Sequence, residues 1–154
     1  DATLNEMSRV MKPNAKFVFC VPNQNFLPNL SISGFFDRIG LKILGDLYRN
    51  FFNTVCRHIH CDDRPAWEQR LNKAGLEIEE TWDYFSPHAL HVLEWGHYFG
   101  FPSLVLHFLT RKWNAVQRKW NFAITDRIVK PVYDETHAQA GGVYSFYIVR
   151  KKTA

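Results

Sequence analysis

Leu4-Asn5-Glu6-Met7-Ser8-Arg9-Val10-Met11-Lys12-Pro13-Asn14-Ala15-Lys16-Phe17-Val18-Phe19-Cys20-Val21-Pro22 reads as a helix, a tight turn and a buried strand. Thr3-Leu4-Asn5-Glu6 has capping-box spacing: a Thr oxygen for an orphan backbone N–H, and a Glu three residues on to reach back. Leu4, Met7 and Val10 or Met11 recur at helical spacing and predict one apolar face. Pro13 cannot continue the helix, and Asn14 tolerates a left-handed turn. Phe17 to Val21 is then an unbroken apolar run of aromatic and β-branched residues. A strand without alternation is buried on both faces, the habit of a parallel sheet covered by helices. A central strand of an α/β core is expected here.

Downstream, residues 22–33 form a loop rich in Asn, Pro and Ser. Residues 34–55 are apolar and aromatic, giving one or two helices broken near Gly40 or Gly45. Asp62-Asp63-Arg64-Pro65 starts a helix, with acidic caps and then Pro in the first turn. Trp67, Leu71 and Ala74 are its inner stripe, and Gly75 stops it. Leu76 to Tyr84 alternates, with Leu76, Ile78, Trp82 and Tyr84 on one side and Glu80 breaking the pattern; this is a half-exposed edge strand. Residues 87–140 are helical in pattern. Gly141-Gly142 leads into Val143–Val149, a second buried strand closed by Arg150-Lys151-Lys152. The first and last strands are therefore central and the middle one peripheral. That order follows if the last strand inserts between the other two and runs antiparallel.

At 154 residues the chain has the length of one domain. Its 13 Phe, 6 Tyr and 5 Trp supply ample core material. A net charge of +4 admits an anionic partner without requiring one. The 3 cysteines, Cys20, Cys56 and Cys61, are odd in number and form no CxxC. That argues for a reducing, cytoplasmic setting and against a disulfide scaffold.

Together these segments resemble the C-terminal half of a class I S-adenosylmethionine-dependent methyltransferase. Members typically show a helix ending in Arg-Val-Leu-Lys-Pro-Gly-Gly, then a hydrophobic strand ending in Pro. Arg9-Val10-Met11-Lys12-Pro13-Asn14-Ala15 and Phe17–Pro22 are similar, with Asn14-Ala15 standing where the family has its glycine pair. His60, followed by Trp67-x-x-x-Leu71-x-x-Ala74-Gly75 and an edge strand, resembles the family's next segment. The resemblance covers residues 3–22, 58–86 and 141–152. It implies an α/β fold, the C-terminal part of a Rossmann-like methyltransferase sheet of three strands with the last inserted antiparallel. Residues 1–154 would form a single partial domain, with core segments 1–22, 60–86 and 141–152. Residues 23–59 and 87–140 would be helical insertions forming a substrate-side cap. It further implies S-adenosylmethionine as cofactor of the parent protein, and a small apolar or aromatic methyl acceptor. The family binds its cofactor through a glycine-rich loop, and this chain has 8 glycines but no G-x-G. The cofactor half is therefore expected upstream of Asp1, and these residues alone are expected to bind S-adenosylmethionine weakly or not at all.

Pro22, Asn23 and Asn25 follow the end of a buried strand, where open α/β sheets place ligands. Asn and Pro serve turns there equally well. On the family pattern His60 is a pocket acid/base or orienting residue; a hydrogen-bonded histidine at a helix entrance is the alternative. Cys56, His58, His60, Cys61 and Asp62 lack two separated ligand pairs, and alternating His58 and His60 point oppositely, so no metal is expected. Residues 89–109 are strongly apolar yet carry His91, Glu94, His97, Pro102 and His107. That argues for a helical lid with an aromatic lining, Trp95, Tyr98 and Phe99, over a membrane span. Trp113, Val116, Trp120, Ile124 and Ile128 form an apolar stripe among Arg111, Lys112, Arg118, Lys119, Arg127 and Lys130. Residues 111–130 could thus touch a membrane peripherally. A core-facing stripe with a solvated outer face is the commoner arrangement. No nucleic-acid motif accompanies the charge. Phe17–Val21, left as a bare edge, would invite self-association. The competing reading is a non-catalytic α/β module for an apolar ligand, membrane surface or protein partner.

Overall fold

Asn14 takes a left-handed φ of 63° between helix α1 (Ala2–Val10) and strand β1 (Lys16–Pro22), as the Pro13-Asn14 pair predicts. The computed structural model describes residues 2–113, 119–136 and 138–152. Helices α2 (Ser31–Arg38), α3 (Lys42–Val55) and α4 (Arg64–Lys73) come next, then β2 (Leu76–Tyr84). Helices α5 (Pro87–Phe99), α6 (Phe101–Thr110) and α7 (Lys119–Tyr133) precede the last strand, β3 (Tyr144–Lys151). The punctuation follows local chemistry. Asp63 accepts from the Ala66 N–H at 3.0 Å and Pro65 stands in the first turn of α4. Gly40 (φ 83°) separates α2 from α3, and Gly75 (φ 74°) turns α4 into β2. The capping box does not form: Thr3 lies inside α1, and Glu6 pairs with Arg9 at 2.6 Å instead. Met11, not Val10, packs on the core.

The strand order is β1-β3-β2, with β3 antiparallel to both neighbours. The last strand is thus the antiparallel insert, as its burial predicts. Phe17, Phe19, Tyr147, Val149 and Ile78 share the face that α4 covers with Trp67 and Leu71. Phe19 stacks on Tyr147 at 5.1 Å, and both rings meet Trp67. Complete burial of Leu71 and Leu76 contributes about 1.5–3 kcal/mol each.

Two expectations are corrected. β1 is not buried on both faces: it is an edge strand in which Phe17, Phe19 and Val21 are half-buried while Lys16, Val18 and Cys20 are exposed. Val18 is 49% exposed because its side of the sheet carries no counterpart of α4 at that point among the described residues. Nor do Leu76, Ile78, Trp82 and Tyr84 share a side. A bulge between Ile78 and Glu80 shifts the register, so Trp82 and Tyr84 face opposite to Leu76 and Ile78. Trp82 stacks on Phe146 at 4.5 Å on that second face. Glu80 breaks the alternation because an inserted residue resets it.

Since β1 and β2 both oppose β3, they run parallel and finish at the same end of the sheet. Pro22, Tyr144 and Tyr84 lie abreast there. The α2–α3 hairpin leaves from the end of β1 and the α5–α7 segment from the end of β2. The register therefore places both helical insertions over one end of the sheet.

Candidate functional site at the sheet end and cap

The turn after β1 is locked from within. Asn23 is 1% exposed; its Nδ2 donates to Gly142 O at 3.0 Å and Ser145 Oγ at 3.1 Å. Its Oδ1 accepts from Asn25 N at 2.9 Å, and Asn25 Nδ2 donates to Gly142 O at 3.1 Å. Ser145 Oγ in turn donates to Asp83 Oδ1 at 2.6 Å. Pro22, Asn23 and Asn25 therefore stand where the strand-end argument places them. Their polar atoms tie the β1 turn to the start of β3, so turn chemistry accounts for them.

Above that clamp the Tyr144 ring meets Phe26 (5.5 Å), Phe85 (5.6 Å) and His58 (6.2 Å). His58 Nε2 is 3.5 Å from Tyr144 Oη, and its buried Nδ1 has no hydrogen-bond partner among the described residues. His60 stands elsewhere, half exposed, with its ring by Trp67 and its Nδ1 3.4 Å from Asp62 Oδ2. Asp62 also meets Arg70 Nη1 at 2.7 Å, an ion contact without hydrogen-bond alignment. The alternation argument correctly sends the two histidines to different surroundings; the one at the sheet end is His58. Phe85 joins sheet to cap with a left-handed φ of 64°, a conformation a bulky side chain rarely adopts.

Burial sets the protonation here. It pushes the Tyr144 phenol up to about 12 and the Cys61 thiol up to about 11, and raises Cys56 as well. Protonated thiols are poor nucleophiles, so neither cysteine is prepared to attack a ligand. Burial also lowers the His58 pKa. The unfolded chain then binds the extra proton as pH falls through about 6.5, while the folded chain resists until lower pH. Stability should be full above that range and decline below it. Urea midpoints at pH 7.5 and 5.5 should differ more for the natural chain than for His58→Leu; equal differences would exclude His58 as the source.

In the cap, α5 carries the organising side chains. Glu94 is fully buried and its carboxylate accepts from Ser31 N (2.7 Å), Ser31 Oγ (2.6 Å) and Ile32 N (3.2 Å). It thereby caps α2 from another helix, next to the positive end of the helix dipole. Tyr98 Oη donates to Tyr48 Oη at 2.9 Å, bracing α5 on α3. Burial, then hydrogen bonding to Tyr98 and Glu94, raises the Tyr48 pKa. Between α5, α6 and α7 lies a groove of about 720 Å³ lined by Trp95, Phe99, Ile124, Ile128 and Val129, with His88, His91, Ser103 and Thr125 as its polar points. Of the three predicted lining residues, Trp95 and Phe99 line it and Tyr98 does not. This groove shares Val92, Gly96 and Val129 with a second cavity of about 420 Å³. The second shares Phe85 and Val132 with a third of about 360 Å³ that reaches Trp82 and Phe146 on the sheet. Apolar space thus runs in a row from the outer cap to the sheet, past Phe85.

Ile124 and Ile128 of the predicted stripe face this groove and solvent, at 70% and 49% exposure, and are not packed into a core. Val116 and Arg118, and the side chains of Lys119 and Trp120, lie outside the described residues. Among the described residues no group of three or more His, Cys, Asp or Glu is placed to hold a metal. Among them, too, no helix is long and apolar enough to cross a membrane. Glu94, Tyr48 and Tyr144 were not foreseen as site residues. The available signal was an acid inside an apolar run, which demands a buried partner.

Comparison with family models, with characterised proteins and with solved structures finds no match for this chain.

Proposed function

We propose that this chain is the substrate-side portion of a class I S-adenosylmethionine-dependent methyltransferase, acting on a small apolar or aromatic acceptor held in the cap. The observation that carries the reading is the β1-β3-β2 order with an inserted antiparallel last strand, joined to two insertions over one sheet end. The row of apolar cavities leading to that end supports an apolar acceptor. Methyl transfer asks mainly for an aligned nucleophile near attack distance, which an apolar-walled site supports. His58 stands beside Tyr144 at the sheet end but lines none of the three cavities, so no general-base role is assigned to it. S-adenosylmethionine would be held in the parent protein by a glycine-rich loop that these 154 residues do not contain. Three free cysteines support a cytoplasmic setting. The second reading, a non-catalytic module binding an apolar ligand, draws on the absence of any G-x-G in the chain.

Calorimetry with S-adenosylmethionine should give no low-micromolar binding to the 154-residue chain, whereas the product of the whole gene should bind it. Tight binding by the chain alone would overturn the division into two halves. A gene with no glycine-rich loop upstream of Asp1 would transfer the case to the second reading.

A further inference from the structure

Helix α6, Phe101-Pro-Ser-Leu-Val-Leu-His-Phe-Leu-Thr110, contains no Asp, Glu, Lys or Arg and has no buried residue. Phe101, Leu104, Phe108 and Leu109 are 63%, 52%, 81% and 73% exposed. Phe101, Leu104 and Phe108 recur at spacings of three and four, and Leu109 follows the exposed Val105 by four, so together they form one continuous apolar ridge. Such a patch on a chain in water marks a surface that something covers. The charges say what. Directly after the ridge stand Arg111, Lys112 and Trp113, and Trp113 stacks on His107 at 4.1 Å. Between Glu94 and Asp126 the sequence has no acid and four basic residues. Parallel contact with a second copy would bring basic collar against basic collar, and antiparallel contact would lay each collar beside the start of the partner helix, where this stretch of sequence offers no acid to pair it. An anionic bilayer instead offers hydrocarbon to the ridge, phosphate to Arg111 and Lys112, and the interfacial layer that tryptophan favours. At ten residues α6 is about 15 Å long, enough to lie in the interface plane and too short to span it.

We infer that α6 with its Arg111–Trp113 collar is a docking element for an anionic lipid surface. The inner side of the same helix contributes Gly100 and Ser103 to the 720 Å³ groove. Docking therefore sets the groove's wall against the acyl layer, and the ligand class becomes a lipid-soluble molecule taken from the membrane. That last step rests on the acceptor reading given above; the docking step does not.

The test is co-sedimentation with phosphatidylcholine vesicles, with and without phosphatidylglycerol. Binding is expected only with the anionic lipid, and should weaken as salt is raised. Phe108→Glu with Leu109→Glu should lower the vesicle partition at least ~10-fold, and Arg111→Ala or Lys112→Ala roughly fivefold each. Both ridge positions are mostly exposed, so circular dichroism should show the variants folded as the natural chain is. Equal binding to both vesicle types, no binding to either, or unchanged binding by the ridge variant would each overturn the docking. So would a dimer in light scattering that the ridge variant dissolves. Vesicle binding uses no cofactor or acceptor. Failure here leaves the methyltransferase reading standing, and failure of that reading leaves docking standing.

Discussion

Gly142→Ala should be among the most damaging single-methyl additions in this chain. A Cβ at Gly142 would lie 2.5 Å from Tyr84 O, 2.7 Å from Tyr84 N and 2.8 Å from Tyr84 C. All three are backbone atoms of the neighbouring strand, so no side-chain rotation relieves the contact. The chain has to part β2 from β3 at the sheet end. That parting also moves Gly142 O, which receives both Asn23 Nδ2 and Asn25 Nδ2. Strain and lost hydrogen bonds together should cost about 3 kcal/mol or more. For a domain of this size that is a fall in Tm of about 6–12 °C. Gly34→Ala is the control: it lies in α2 with nothing within 4 Å of its added methyl. There the gain in helix propensity should leave Tm equal or raised, up to about 1 kcal/mol. If Gly142→Ala melts with Gly34→Ala, the close approach of β3 to Tyr84 is not real.

What could be read in the residues, and what could not, separates by the range of the cause. Asn14, Gly40, Asp63 and Gly75 act on their own neighbours, and each turn, cap or stop stands where its chemistry puts it. The strand order was legible for another reason. Val143–Val149 is apolar but for Ser145 while Leu76–Tyr84 alternates, and only a central strand is covered on both sides. The same reasoning failed for Phe17–Val21, where an apolar run lies on an edge with Val18 and Cys20 open. Composition reports what a strand can tolerate, not which neighbours stand beside it. The bulge at Glu79 was equally hidden, because register belongs to the pair of strands and not to one of them. At the site, the alternation of His58 and His60 was readable, but which of them meets Tyr144 depends on a strand 86 residues away. Trp95 and Phe99, expected as an aromatic lining, border the cap groove, whereas Tyr98, one step round the helix, turns to α3.

Glu94→Ala should release the α2–α3 hairpin from α5. The carboxylate is fully buried, and three donors from Ser31 and Ile32 converge on it. Removing it leaves the first N–H groups of α2 and the Ser31 hydroxyl without the acceptor they share. Hydrogen bonds to a charged group are worth about 1.5–3 kcal/mol, and a buried unsatisfied donor costs about 1–3 kcal/mol. A total near 3–4 kcal/mol is expected, allowing for partial collapse of the site. Glu94→Gln keeps the shape and one acceptor, but turns an amide NH₂ toward the donors of Ser31 or Ile32. It should cost roughly half as much. The order Ala worse than Gln worse than natural is the signature of a capping carboxylate. A residue that merely filled space would make Gln nearly neutral. Trp95 gives a local readout, because its Nε1 donates to the same Ser31 Oγ at 3.0 Å. Its fluorescence should move toward that of a water-exposed indole in Glu94→Ala at temperatures where the sheet is still folded. An unchanged Trp95 signal with a full drop in Tm would mean that Glu94 supports the whole fold without holding the cap. Because Trp95 also walls the groove, the predicted loss carries to binding: an apolar probe seated there should dissociate more readily from Glu94→Ala than from Glu94→Gln.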